Sequence, residues 1–338
     1  MTIILDAMGS DKYPDPEILG AIEAVKILSE PIILVGNEEI IRPKLEQLSP
    51  GNSLISIVHA PEVVEMWDKP VESARSKPNN SMAIGVQLVK EGKGEAFVTA
   101  GNTGGAMFNA LRVLGRIKGV QRPALTALFP TQKDKCIVLD IGANADCRPD
   151  FLLQFAVMGN IYAQHILNIE KPRVGLLSNG EEAGKGNELV KETYKLLEKS
   201  NLNFIGNIEG KELFGGEADV VVTDGFTGNI LTKGSEAVAK LITDTLKAEL
   251  KRTFSTKMGA LLAKPAFAKI KGLVDPSEIG AAPLLGIDGL VFVGHGRSDA
   301  HAITSALLLA NNAIKNNLLE HLRTDIANNL SIKKGLFR

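Results

Sequence analysis

Residues 178–188 read SNGEEAGKGNE, and the order of Gly180, Gly184 and Lys185 suggests a phosphate loop. A P-loop places four residues between its first glycine and the Gly-Lys pair, then a Ser or Thr whose hydroxyl holds magnesium. Here three residues intervene and Gly186 follows the lysine, so ATP or GTP is not expected. What remains is a turn carrying Glu181, Glu182 and Lys185, open to a small anion. In AFVTAGNTGGAMFNALRVLG a strand, a glycine-rich turn and a helix follow in order. The N–H groups of Thr103, Gly104 and Gly105 then sit at a positive helix end, either as an anion site or as a tight turn. GNTGGAM does not supply the dinucleotide pattern G-x-G-x-x-G. DGFTGNILTKG repeats the arrangement: Asp224 and Asn229 flank Thr227 and Gly228, whose small size admits a ligand to the backbone. Asn229 serves there as a ligand contact or as a helix N-cap. GHGRSDAHAITSALLLANNAI puts His295, Arg297, Ser298 and Asp299 at the mouth of an apolar helix. His295, between two glycines, is the best proton donor on offer, whereas His301 reads as packing. DIGANADCRPD supplies Asn144, Asp146 and Arg148, as a polar turn network or, through its acidic groups, a metal site. No nucleophile elbow and no zinc spacing is present. A reaction whose nucleophile arrives with the substrate needs neither.

These turns require elements to hold them. TIILDAMGSD, PIILVGN, AFVTAGNTGG, CIVLDIGANAD, VGLLSNGEE, DVVVTDGFTGN and LVFVGHGRSD share a short β-branched apolar run, a polar turn and a helix-period segment. Strands alternating with helices predict an α/β fold, a largely parallel sheet covered on both faces. Ligands collect at the carboxyl ends of such strands, so the turns are expected to converge on one cleft. No Pro/Gly/Ser linker divides the chain, which reads as one two-lobed unit over residues 1–338. Residues 236–274 predict a projection: a long helix, a break at Pro265 and a short second helix.

Composition bounds the function. Apolar residues at 44% and charged residues at 23% are those of a globular protein. A formal net charge of -1 and 5% aromatic residues leave neither a basic footprint nor stacking platforms for nucleic acid. No apolar run approaches the roughly 20 residues of a membrane span, and the N-terminus enters a strand without a signal sequence, so a cytoplasmic protein is expected. Cys136 and Cys147 are too few for a disulfide framework. Cys136 reads as a buried small hydrophobe; Cys147 lies beside Asp146 with no histidine nearby in sequence and is expected to be structural.

Together the turns resemble the phosphate acyltransferases of bacterial phospholipid synthesis, which convert acyl carrier protein thioesters and inorganic phosphate into acyl phosphates. The resemblance rests on DAMGSD at 6–11, AGNTGGAM at 100–107, RPAL at 122–125, DIGANADCRP at 140–149 and GLLSNGEEAGKGNE at 175–188. It continues through EGKELF at 209–214, VVTDGFTGN at 221–229 and AAPLLGIDGLVFVGHGRSD at 281–299. The family commonly has glycine where Ser10 and Ala281 stand and tyrosine where Ile279 stands. The resemblance implies a three-layer α/β/α doubly wound fold, similar to isocitrate and isopropylmalate dehydrogenases and to phosphotransacetylases, a homodimer and no cofactor. It implies substrate contacts from Asp6, Ser10, Asn102, Thr103, Gly104, Gly105, Asn144, Asp146, Asn179, Glu181, Asn187, Asp224, Thr227, Gly228, Ser298 and Asp299. The N–H groups around Asn102 to Gly105 and Thr227 to Asn229 are expected to hold anions, with Lys185 as a charge partner, and His295 to protonate the leaving thiolate. An NAD-dependent dehydrogenase of the related fold and a non-catalytic scaffold of lipid synthesis are the alternatives.

Residues 253–274 place Phe254, Met258, Leu261 and Leu262 at i, i+4, i+7 and i+8 of a helix, with Phe267 beyond and Lys257, Lys264, Lys269 and Lys271 between. Such a segment lies on an anionic bilayer or packs against its twin in a dimer. The resemblance implies a peripheral membrane enzyme that passes acyl phosphate to a membrane glycerol-3-phosphate acyltransferase.

Overall fold

The structure, a computed structural model, describes residues 1–274 and 276–336. The side chains of Ala74, Ala268, Lys269, Lys271, 273–276 and 328–338 lie outside the description, among them the two predicted membrane lysines 269 and 271. In chain order the elements are β1 (Ile3–Asp6), α1 (Asp15–Leu28), β2 (Ile32–Gly36), α2 (Glu38–Leu48), β3 (Ile55–His59), α3 (Pro70–Ser76), α4 (Ser81–Lys90), β4 (Ala96–Thr99) and α5 (Thr103–Val113). Then come β5 (Ala124–Pro130), β6 (Lys135–Leu139), α6 (Pro149–Ile166), β7 (Val174–Leu177), α7 (Glu188–Glu198), β8 (Phe204–Ile208), α8 (Gly210–Gly215), β9 (Val220–Val222) and α9 (Gly225–Leu250). The chain closes with α10 (Phe254–Leu262), α11 (Lys264–Val274), β10 (Ala281–Leu285), β11 (Leu290–Gly294), α12 (Ala300–Lys315) and α13 (Leu318–Leu336).

One sheet of eleven strands runs through the molecule in the order β3-β2-β1-β4-β11-β10-β5-β6-β9-β7-β8. All seven strand–turn–helix segments of the sequence lie in it. Their strands are continuous apolar runs because helices cover both faces; β1, β4 and β9 are buried at every position. On one face α1 packs against α12 so closely that a Cβ on Gly20 would stand 2.6 Å from Ile303. On α6, twelve residues from Phe151 to Ile166 are buried. Each large apolar side chain so covered stabilises the fold by about 1.5–3 kcal/mol.

The sheet is largely parallel, as expected, with three antiparallel pairings near its middle. β10 runs antiparallel to β11 and to β5, and β5 antiparallel to β6. The strands β6, β9, β7 and β8 therefore point opposite to β1, β4 and β11. β10 pairs with β11 through residues 281–283 but with β5 through 284–285, which staggers the halves. The polar turns consequently form two sets, one after β1, β2, β4 and β11 and the other after β6, β7 and β9. The apolar runs AAPLL and ALTALFP, which make the reversals, are followed by the short turns GIDG and TQKD, which return the chain at once as an antiparallel strand instead of leading into a helix.

The helical excursion also differs in detail. α9 starts at Gly225, before the expected start at residue 236, and the chain breaks at 251–253 and at Ala263. Pro265 is the second residue of α11, where its missing N–H costs no hydrogen bond.

Candidate active site

In the first set of turns, Asp6 ends β1 fully buried and accepts hydrogen bonds from Thr99 Oγ1 at 2.7 Å and Met8 N–H at 3.0 Å. Burial pushes its carboxyl up. Glu17 on α1 is also fully buried; its Oε1 accepts from Ser10 N–H at 2.8 Å, and burial pushes the carboxyl up to about 7. Asp11 N–H donates to Gly296 O at 2.7 Å, which ties the β1 turn to the β11 turn. A cavity of about 590 Å³ opens beside them, lined by Ser10, Asp11, Tyr13, Glu65 and Trp67 among others.

Asn102 caps α5 through Oδ1, which accepts Gly105 N–H, while its Nδ2 donates to the carbonyls of Glu65, Met66 and Asp68 at 3.1–3.3 Å. Its side chain thus fastens the segment before α3 onto α5. Of the three N–H groups expected to hold an anion, that of Gly105 is taken by this cap, leaving those of Thr103 and Gly104. The need for glycine at 104 comes from the protein itself, since a Cβ would stand 2.5 Å from Pro70 Cγ.

In the second set the turn after β6 is organised by Asp140. Its carboxylate receives the backbone N–H groups of Leu125, Gly142, Ala143 and Asn144 and the Asn144 side-chain amide, at 2.7–3.1 Å. Asn144 Nδ2 also donates to Pro123 O, so this predicted substrate contact holds the turn to β5; Asp146 is exposed. Gly225 N–H donates to Asn144 O, and a Cβ on Gly228 would stand 1.9 Å from Asp140 O. The start of α9 is therefore pressed onto the β6 turn, and only glycine fits. Asp224 is its N-cap, taking Thr227 N–H at 2.8 Å, while Gly228 N–H closes onto Asp224 O. The expectation that these two N–H groups hold an anion is corrected: both are spent inside the helix start. Asn229 is not a cap; it is exposed beside Gly142. Cys147 packs here, and burial pushes its thiol up to about 12, so it stays protonated at neutral pH.

The SNGEEAGKGNE turn lies at the carboxyl end of β7. Asn187 caps α7, Asn179 Oδ1 accepts Gly186 N–H, and Glu181 pairs with Lys211 at 2.8 Å. Lys185 is exposed, with its stem against Gly180.

α9 links the two sets. From its seat on the β6 turn it carries Lys233 to 3.2 Å from His295 Nε2 and Glu236 to 3.0 Å from Arg297. An ammonium has only donors, so Nε2 accepts and the imidazole proton sits on Nδ1. Partial desolvation, then the cations of Lys233 and Arg297, hold His295 below its usual pKa, favouring the neutral ring. Between α9 and the β11 turn lies a cavity of about 400 Å³ lined by Lys240, Lys247, Arg297, Ser298 and Asp299 among others. Asp299 caps α12 through Ala302 N–H, and Ser298 is buried. His301 is exposed and pairs with Glu278 at 3.2 Å, so it is not a packing residue. Sequence reading missed Lys233, Glu236 and Glu17.

The sequence model of a family described as "Fatty acid synthesis protein" matches residues 1–321. A phosphate acyltransferase of Elusimicrobium minutum is 48% identical over 328 residues, covering 97% of this chain and 96% of its own. One of Pelotomaculum thermopropionicum is 46% identical over 326 residues, covering 96% and 95%. The chain belongs to the phosphate acyltransferase family. It is an acyltransferase of fatty acid and phospholipid synthesis, and the family match spans every strand of the sheet and α9. Among solved structures, a phosphotransacetylase of Streptococcus pyogenes superposes with a TM-score of 0.60 at 19% identity, covering 93% of this chain and 94% of that one. The EutD phosphotransacetylase of Staphylococcus aureus gives 0.56 at 17%, covering 92% and 94%. At such identity these establish the fold alone. Among the described residues, no helix is long and apolar enough to cross a membrane.

Proposed function

We propose that this phosphate acyltransferase transfers a fatty acyl group from the thioester of acyl carrier protein to inorganic phosphate, in the space that α9 spans between its lobes. The observation that carries the geometric part is the contact of Lys233 and Glu236 with His295 and Arg297, which sets cations and a neutral imidazole beside a polar cavity. Phosphate is already an oxyanion nucleophile. One of its oxygens attacks the thioester carbonyl, the tetrahedral oxyanion collapses, the C–S bond breaks, and acyl phosphate and a thiolate leave. The protein's task is to hold phosphate beside the thioester and to stabilise the oxyanion. Lys233 and Arg297 hold phosphate, with Lys185 and Asn229 contributing from the second lobe and the Thr103 and Gly104 N–H groups from α5. A neutral His295 donates Nδ1–H as a hydrogen bond to the developing charge. A thiol ionises near pH 8.5, so thiolate departure needs little help. No covalent enzyme intermediate is formed.

The helices after α9 fit a surface role. Phe254 and Leu262 are each 81% exposed, and Met258 and Leu261 share their side of α10. Burying Leu261 and Leu262 in an interface contributes roughly 3–6 kcal/mol at most, and each nearby lysine about 1 kcal/mol on an anionic surface. Reversible binding, not insertion, follows, with Phe267 on α11 adding to the tip. Along α9, Val238, Leu241, Ile242 and Leu246 form an exposed stripe that a second copy of the chain covers in a homodimer. The whole chain then acts as one two-lobed unit whose projecting helices dimerise at the stem, touch the membrane at the tip and deliver acyl phosphate to a membrane glycerol-3-phosphate acyltransferase.

The test mixes purified protein with acyl-[acyl carrier protein] and phosphate and traps acyl phosphate as its hydroxamate. Formation of product without nucleotide supports the reading. Absence of product together with saturable quenching of NADH fluorescence would favour a dehydrogenase, a class that shares this fold. Absence of both would favour a scaffold.

A further inference from the structure

We propose a divalent transition-metal site where the end of α6 meets the start of α13, formed by His165, His321 and Asp325. His165 is the penultimate residue of α6; His321 and Asp325 stand one turn apart on α13 and so share a face. One ligating atom from each of the three lies within 4.8 Å of the others. The two imidazoles stack with centroids 3.6 Å apart at 10°, and His165 Nε2 is 3.6 Å from Asp325 Oδ2. Donors bound at about 2.0–2.2 Å around a tetrahedral ion stand roughly 3.4 Å from one another; the His165–Asp325 pair is close to that separation, and the third donor lies within 4.8 Å of both.

The backbone beneath is fixed. Leu318, Leu322 and Ile326 form the buried face of α13, which packs against α6. The three ligands project from this seat and are part-exposed, leaving water to complete the coordination. Rotation about each Cβ–Cγ bond, a broad torsion for histidine, lets the stacked rings turn their nitrogens toward a shared ion. Two imidazoles and one carboxylate select zinc or its neighbours, not magnesium or calcium, which take oxygen ligands. α6 extends about 27 Å at 1.5 Å per residue, and its other end follows the Asp140 turn. The ion is therefore remote from acyl transfer, and its role is to clip α13 to the body of the fold.

Full-length protein stripped with chelator and dialysed is titrated with zinc chloride at pH 7.5 by calorimetry, with magnesium chloride as control. The expected result is one zinc per chain at micromolar affinity, no magnesium response, and a higher Tm with zinc, since an ion that binds only the folded state stabilises it. His321→Ala and, separately, the size-conserving His165→Gln each weaken binding about 100-fold or more, as loss of a direct ligand demands, while their circular dichroism and Tm in chelator match the parent. Cobalt(II) gives the absorption bands of a tetrahedral site, lost in both variants. Cys147→Ser leaves zinc binding intact. Unchanged affinity in both histidine variants, or loss of binding in Cys147→Ser instead, would overturn the site. Should one variant lose its fold in chelator, the other and the cobalt spectrum decide.

Discussion

Glu17→Gln should change how stability depends on pH, and the structure sets the size of the effect. The parent carboxyl is buried beside Asp6 and is pushed up to about 7 from the ordinary 4.5. An acid raised on folding keeps its proton more tightly in the native state, so the native state is favoured at low pH. The cost of ionising it appears as pH passes 4.5 and is complete above 7. Each unit between the two values costs about 1.4 kcal/mol, and the linkage integral gives a loss of about 2.5 kcal/mol between pH 5 and 8 from this one group. Glutamine cannot ionise, and its Oε1 still accepts Ser10 N–H. Urea unfolding of both proteins, followed by circular dichroism because the single tryptophan, Trp67, is exposed, gives the stability difference at each pH. That difference should move by about 2.5 kcal/mol in favour of the variant between pH 5 and 8. Any constant offset from the amide's own hydrogen bonding cancels. Parallel curves would refute the reasoning.

Gly228→Ala should lose at least about 3 kcal/mol, or fail to yield folded protein, because the methyl meets Asp140 O; Gly184→Ala, with open space at the same atom, should stay within about 0.5 kcal/mol. A Gly228→Ala protein of parental stability would show that α9 does not seat on the β6 turn. Lys233→Met removes a cation that depresses His295, so the imidazole titration followed by NMR should move to higher pH, and a downward movement would contradict the contact. Changing Leu261 and Leu262 to Glu should abolish sedimentation with anionic vesicles while dimer mass and turnover persist. Retained vesicle binding would remove the tip from the membrane, and a monomer would assign those leucines to the dimer.

The seven strands that precede polar turns were legible because each combines a β-branched run with an abrupt polar turn, and burial on both faces demands that pattern. The strands β3, β5, β8 and β10 were not; β5 and β10 lead through short turns straight into the antiparallel strands β6 and β11, with no helix between to complete the strand–turn–helix pattern. Distance in sequence hid the partner of His295. Lys233 lies 62 residues away, and only the course of α9 from its Asp224 cap, set by the fit of Gly228 on Asp140, brings the two together. Turn composition drew attention to residues 102–105 and 224–229, which the structure places at the starts of α5 and α9. It could not tell which N–H groups remain free, because that depends on side chains such as Asn102 and Asp224 closing back on their own helices.

The acyl group should pass directly from thioester to phosphate without an acyl-enzyme. The most direct test is a single turnover with enzyme in excess over acyl-[acyl carrier protein], in which released thiol is measured with phosphate withheld and then added. Release should await phosphate and then match acyl phosphate mole for mole. Stoichiometric thiol release before phosphate is added would reveal a covalent intermediate and contradict the account.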